Sequence, residues 1–362
     1  MPATEYSEQS KRGVVRKILP FLIATLVMAP PCPGDQQTIP EELDRLITQG
    51  IDLTLKQDYE RADSVCRVAT DRFPEDPLGY LYRAAVMQTR SMDYLDPLNF
   101  DTFDSLLAIA RVHAEKIVDS HPQSPLGYFL LATAEGEGAY ARVDAGNWLS
   151  GVTRGLGAAS DFKKAVALDS ACYDAYVGVG TYYYWKSKKA GFLNWALGDR
   201  RAEGIRLLEI AAVRGVYNRL AALSALTAIY TDAGEYDNAI RCATEGLRLY
   251  PDNRIFLWGI SAAQERSGKY ADAAQTYEHL LRTILGVKMP NPYNEMLCRL
   301  NLVKAYRAVG QSAGLREHLN AILSCEHFSF PGNLANRAQE KFAQARTILG
   351  ELGVDKGEHA GD

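Results

Sequence analysis

Histidines, cysteines and paired glycines are the residues of this chain whose types could do chemistry, and their spacing decides what chemistry is open to them. His113 and His121 could share one helix face, yet neither they nor His279, His318, His327 and His359 fall into an H-E-x-x-H or comparable ligand spacing. Surface histidines without metal partners are the expectation. Cys66, Cys172, Cys242, Cys298 and Cys325 are widely separated and form no C-x-x-C pair, so metal and redox motifs are absent and buried free thiols are expected. The pairs Gly136/Gly138, Gly155/Gly157 and Gly178/Gly180 resemble fragments of a dinucleotide loop, but none follows a strand pattern. Their simpler role is to let helices pack closely. With no paired catalytic groups, the chain reads as non-enzymatic, with no cofactor and no metal.

The densest chemical cluster is Tyr182-Tyr183-Tyr184-Trp185-Lys186-Ser187-Lys188-Lys189, followed by Phe192, Trp195, Arg200 and Arg201. Aromatics among basic residues could stack on and neutralise a nucleic acid. The overall charge of -4 opposes that, and no basic footprint for nucleic acid exists. On helical geometry alternate members of the run must point inward, so part of the cluster is packing and part is surface. Trp185 and Trp195, with Tyr140, Asn147 and Trp148 from the preceding segment, are expected on a functional surface.

What must position these side chains is a repeat. Gly234, Tyr236 and Ala239 recur as Gly268, Tyr270 and Ala273, 34 residues later, with helical patterns on either side and Pro251 after the first. Pro77-Leu78-Gly79-Tyr80 recurs as Pro125-Leu126-Gly127-Tyr128 after 48 residues, and Tyr173-Asp174-Ala175-Tyr176 stands 48 further on. A fixed period of this size means stacked helical hairpins, each too small to bury its apolar face alone. Prolines 74, 122 and 251 cannot continue a helix and close their units. Small residues such as Ala62, Ala239 and Ala273 sit where the two helices of a hairpin meet.

These residues resemble the tetratricopeptide repeat, a pair of antiparallel helices. The match is complete in outline over Leu220–Asn253, through Leu223, Thr227, Tyr230, Gly234, Tyr236, Ala239, Ala243 and Pro251. The resemblance implies an all-α fold, a right-handed α-solenoid of about seven antiparallel helix hairpins. Standard-length units are expected at 41–76 and 220–285, long ones at 77–219, a terminal hairpin and cap at 293–352, and a flexible tail at 353–362. The surplus of the long units falls between their two helices, near 92–102, 138–154 and 187–199, on one shared edge; 92–101 reads as a loop because of Pro97 and its acidic neighbours. Inward faces of the first helices would aim Gln88, Thr133, Glu137, Tyr184, Trp185, Thr231, Trp258, Glu265 and Arg266 into a concave groove suited to a peptide or a small organic acid.

Composition fits a large folded chain: 362 residues, 47% hydrophobic and 23% charged. Lys11, Arg12, Arg16 and Lys17 precede the apolar run Ile18–Ala29, and Pro30, Pro31, Pro33 and Gly34 end it. That order is a signal peptide's, and the run is shorter than the about 20 residues a membrane span needs. Residues 1–34 are therefore expected as a cleaved leader, a retained N-terminal anchor being the alternative and the only membrane link; Ala29-Pro30-Pro31 before Cys32 does not suit lipidation there. The resulting expectation is an exported, periplasmic or envelope-associated scaffold that binds a protein or peptide partner. The alternative is a periplasmic ligand-binding or transporter-accessory protein holding a small molecule.

Overall fold

The computed structural model describes residues 39–358 except 145, 192–194, 196–197 and 216–217, and the side chains of 144, 148, 333 and 353–358 are likewise not described. The expected leader and Cys32 lie outside these residues. Fifteen α-helices and one 3-10 turn follow each other along the described chain: α1 Glu41–Leu55, α2 Tyr59–Arg72, α3 Pro77–Tyr94, α4 Phe100–Ser120, α5 Pro125–Asp144, α6 Trp148–Leu168, α7 Ala175–Ala190, α8 Arg201–Arg214, α9 Arg219–Ala233, α10 Tyr236–Leu249, α11 Arg254–Arg266, α12 Tyr270–Leu285, α13 Pro292–Ala308, α14 Leu315–Ser324 and α15 Asn333–Glu358. Successive helices pair from α1/α2 to α13/α14, giving seven hairpins, and α15 packs on the last of them. The all-α helical repeat is as the sequence implied.

Hairpin formation is local chemistry. Prolines 77 and 292 open α3 and α13, where a missing N–H costs nothing, and Asp76, Asn253 and Asn291 accept hydrogen bonds from the first-turn amides they cap. At the turns inside the hairpins Gly234, Gly268 and Gly310 have φ of 80°, 75° and 73°, the left-handed conformation that glycine enters at little cost. Each is followed by an amide that reaches back to close the helix end, as Glu235 N–H does to Tyr230 O at 2.8 Å. Ala62, Ala239, Ala243 and Ala273 are fully buried, so the two helices touch nearly backbone to backbone.

The surplus of the second and third units goes mainly into longer helices. α3 and α4 have 18 and 21 residues, and α5 and α6 have 20 and 21, against 15 and 14 in α9 and α10. The loop expected over 92–101 shrinks to residues 95–99. Asn99 explains the shift: its side chain accepts from Thr102 N–H at 3.2 Å and caps α4 there. α15 likewise continues to Glu358, beyond the end expected at 352, over a stretch without proline.

A regular solenoid couples only neighbouring units, but this one curls until its two ends meet. Asp93, in the last turn of α3, accepts from the Arg254 guanidinium through both oxygens, one at 2.8 Å, and from the Tyr59 hydroxyl at 2.9 Å. The side chains of this ion pair are 5% and 1% exposed, so the contact is dry. The cap residues Asn253 and Asn291 each turn their amide outward, to Leu55 O at 2.9 Å and Asp93 O at 3.4 Å, and Asn294 also donates to Asp93 O. Leu95 packs into the C-terminal apolar cluster. The two non-glycine residues found with positive φ among the described residues, Gln57 at 63° and Leu95 at 56°, both lie at this closure. Backbone strain of that kind persists only where surrounding contacts over-determine it.

Candidate functional site

A cavity of about 430 Å3 opens between α5, α6 and α7, in the third and fourth units. Each helix contributes one face at three- and four-residue spacing: Thr133, Gly136, Glu137, Tyr140 and Val143 from α5; Val152, Gly155, Leu156, Ala159 and Phe162 from α6; Gly178, Thr181, Tyr182, Trp185 and Lys189 from α7. That spacing is one side of a 3.6-residue helix, so no irregular backbone is needed to build the site. The walls are largely apolar.

The glycines here fall into two kinds. A Cβ on Gly151 would lie 2.4 Å from Val143, and one on Gly178 would lie 2.4 Å from two atoms of the Phe162 ring, so these let helices touch. Cβ atoms on Gly136 and Gly155 would meet nothing nearer than 3.7 and 3.8 Å. Close helix packing, the role expected for all the paired glycines, holds for Gly178 and for Gly180, whose Cβ would lie 2.6 Å from Gly204 O, and also explains Gly151; Gly136 and Gly155 are not required by such contacts. Mid-helix glycine costs about 0.5–1 kcal/mol relative to alanine. At Gly136 and Gly155 an alanine Cβ would make ordinary van der Waals contact with Phe162, Ala158 or Ala139.

Of the aromatic run on α7, residues split as helical geometry requires. Tyr183 and Tyr184 are buried, whereas Tyr182 and Trp185 line the cavity. Tyr184 turns the other way: its hydroxyl donates to Asp232 at 2.7 Å, and burial, then that hydrogen bond, push its pKa up. The Trp185 ring stands edge-on to Tyr184, centroids 5.1 Å apart. The Trp185 Nε1–H and the Thr181 hydroxyl are buried and find no hydrogen-bond partner in the protein. Near the far end of the face, burial depresses the Lys189 pKa. Asp174, also in the lining, accepts from Asn218 N–H at 2.7 Å.

Tyr140 and Trp185 are thus the expected site residues that the fold brings together. Asn147 precedes α6 and makes no side-chain cap there, and the side chain of Trp148 lies outside the described residues. Trp195 is 84% exposed. Trp258, Glu265 and Arg266 sit on α11 and do not line the cavity; Trp258 packs edge-on to Tyr277, whose hydroxyl donates to Glu265 at 2.8 Å. Several residues expected to face a concave groove, Gln88, Thr133, Glu137, Tyr184 and Thr231, are buried. The curl of the array explains this, because neighbouring first helices close over their inward faces.

Sequence reasoning missed Thr181, Gly155 and Phe162 as lining residues, and also an apolar stripe on the outer face of α6. Leu149, Val152 and Leu156 are 82%, 49% and 53% exposed, and the last two run on into the cavity. The signal was there as a three- and four-residue periodicity. It could not be assigned to solvent or core without knowing which faces neighbours cover.

No cysteine or histidine is among the described residues that line the cavity. Cys66, Cys242, Cys298 and Cys325 are buried thiols, and burial raises their pKa values, Cys66 to about 12. Cys172, expected as a thiol, is disulfide-bonded. Among the described residues no group of three or more His, Cys, Asp or Glu side chains could hold a metal ion, and no described helix is long and apolar enough to cross a membrane.

Residues 222–254, which span α9, α10 and the turn before α11, match the tetratricopeptide repeat family. No curated protein is a significant match. Among solved structures, the chain is similar to a thermophilic tetratricopeptide-repeat protein of Thermus thermophilus, at 18% identity over 61% of this chain and 98% of that one, TM-score 0.39. It is similar also to PilW, a widely conserved type IV pilus biogenesis factor, at 14% identity over 86% of this chain and 100% of that one, TM-score 0.39. A third is a tetratricopeptide-repeat protein from Parabacteroides merdae, at 14% identity over 84% and 100%, TM-score 0.36. The matched repeat coincides with one of seven hairpins stacked in chain order among the described residues, and the chain contains a tetratricopeptide repeat there.

Proposed function

We propose that the protein is a non-enzymatic interaction scaffold, exported to the bacterial cell envelope, whose partner protein docks on the outer face of the third unit. The observation that carries this reading is the stripe Leu149, Val152 and Leu156, three large apolar side chains left in solvent at helical spacing on one helix. Contiguous exposed apolar surface is costly for a soluble monomer and marks interaction sites. Trp195, just beyond α7, adds a fourth exposed apolar side chain, of the type that dominates interface energetics. Export rests on the order of charge and apolarity in residues 1–34.

Photo-crosslinking from position 149 or 156 in cells tests the docking face, with Val213, equally exposed at 80% but on α8, as the control position. A discrete crosslinked protein from 149 and 156, lost in a Leu149→Glu/Leu156→Glu double variant of unchanged helicity, is the expected result. Equal crosslinking from all three positions would remove the stripe from consideration. Fractionation of cells with and without residues 1–34 checks the envelope assignment.

A further inference from the structure

Among the described cysteines Cys172 is disulfide-bonded, while Cys66, Cys242, Cys298 and Cys325 are free. The chain has six cysteines and a disulfide needs two, so Cys32, outside the described residues, is the one that remains as an intrachain partner. The places of the other five agree with this division. Cys66, Cys242 and Cys298 lie inside α2, α10 and α13, and Cys325 opens the 3-10 turn; all four are buried. Burial raises their pKa values, so the thiolate that disulfide exchange needs is scarce there. Cys172 instead sits in the connection between α6 and α7. Its turn is held by Asp169, whose side chain accepts from Ala171 N–H at 2.8 Å and whose carbonyl accepts from Cys172 N–H at 3.0 Å. At a connection, a segment from outside the stack can reach a sulfur without parting two helices.

We infer that Cys32 and Cys172 form an intrachain disulfide that ties the segment ahead of α1 to the connection between the third and fourth units. The loop it closes holds α1 to α6, so one covalent link spans the first three hairpins. Such a link stabilises chiefly by limiting the unfolded chain, and more so for a longer loop. The bond forms by exchange with a protein disulfide. One thiolate of the pair attacks a sulfur of that oxidant, the second thiolate breaks the mixed disulfide, and the oxidant leaves as a dithiol holding the two electrons and two protons. Oxidants of this class act in exported compartments and not in a reducing cytosol, which agrees with the export proposed above. Cleavage of a leader then falls ahead of Cys32, since the cut expected after residue 34 would remove the partner, and the Cys32 sulfur is not open to lipidation. The bond does not depend on the outer stripe of α6 and stands whether or not a protein docks there.

Thiol labelling of the full chain, expressed with its own N-terminus in a bacterium and unfolded in iodoacetamide, tests the pairing by mass. Four labels are expected without reductant, on the four free cysteines, and six after reduction. Trypsin without reduction is expected to give a joined pair of peptides, one ending at Arg45 and the other running from Ala165 to Lys186, which separates on reduction. Cys32→Ser is expected to make Cys172 reactive before reduction. Cys32→Ser and Cys172→Ser should each lower the melting temperature by about 5 °C, and the double variant by no more than either. A mature chain that begins after residue 32, or six labels before reduction, would overturn the inference. So would Cys172 joined to another cysteine of this chain or to Cys172 of a second copy, or a Cys172 that stays unreactive in Cys32→Ser. The joined pair in a chain that fractionates with the cytosol would remove the export reading and leave the bond standing.

Discussion

His318 shows how a single side chain ties stability to pH in this fold. Its Nδ1 lies 3.0 Å from the Arg299 guanidinium, which can only donate, so the ring accepts and is neutral. Burial first, and then the Arg299 charge, depress its pKa below 6.5, against the opposing pull of Glu317 and Glu278. The unfolded chain therefore takes up a proton before the folded one does as pH falls. Stability from this group is fully present above about 6.5 and is lost as pH drops through that value toward the folded pKa. Urea melts of the wild type and His318→Gln between pH 7.5 and 5 check this: the wild type is expected to lose more stability over that range. A variant that tracks the wild type throughout would mean that folding leaves the ring's proton affinity unchanged.

At the scale of helices, glycine and alanine substitutions read out which contacts are real. Gly178→Ala drives a Cβ to 2.4 Å from the Phe162 ring, and Phe162 is held in turn by an edge contact to Phe129, centroids 6.0 Å apart. The ring must shift from that contact or the helices must part, and a loss of about 1–3 kcal/mol is expected. Gly136→Ala, on the facing helix, should instead gain up to about 1 kcal/mol from helix propensity. Ala239→Leu and Ala273→Leu, both at fully buried positions, should each cost about 1–3 kcal/mol by overpacking a hairpin. Thermal denaturation followed by circular dichroism measures all four. Opposite signs for the two glycines separate a glycine that a helix contact requires from one that it does not.

For the whole molecule, the dry Asp93–Arg254 pair is one of the contacts that join the two ends of the solenoid. Removing one member strands the other in a dry site, with an expected cost of about 3–5 kcal/mol. Arg254→Met is expected to release the first two units from the last three, raising the radius of gyration in small-angle X-ray scattering and splitting one unfolding transition into two. Nearest-neighbour coupling then becomes the only coupling, as in an open array. Unchanged scattering in the variant would show that Leu95 and the bridging amides of Asn253, Asn291 and Asn294 hold the ends together without the ion pair.

The helices, their pairing and the identity of the turn residues were determined by the sequence alone, because each depends on neighbours within one or two turns. Gly234 and Gly268 supply positive φ where a hairpin turns. Ala239 and Ala273 supply the small contact one turn later, and both signals recur with the repeat. Tyr140 and Trp185 were legible as neighbours because adjoining long units bring their connections together, and both line the same cavity. Which face of α6 stays in solvent, which glycines a helix contact requires, and that Asp93 meets Arg254 across 161 positions were decided only by the tertiary structure. The curl of an array accumulates from small rotations at every hairpin interface, and no short stretch of sequence carries that sum.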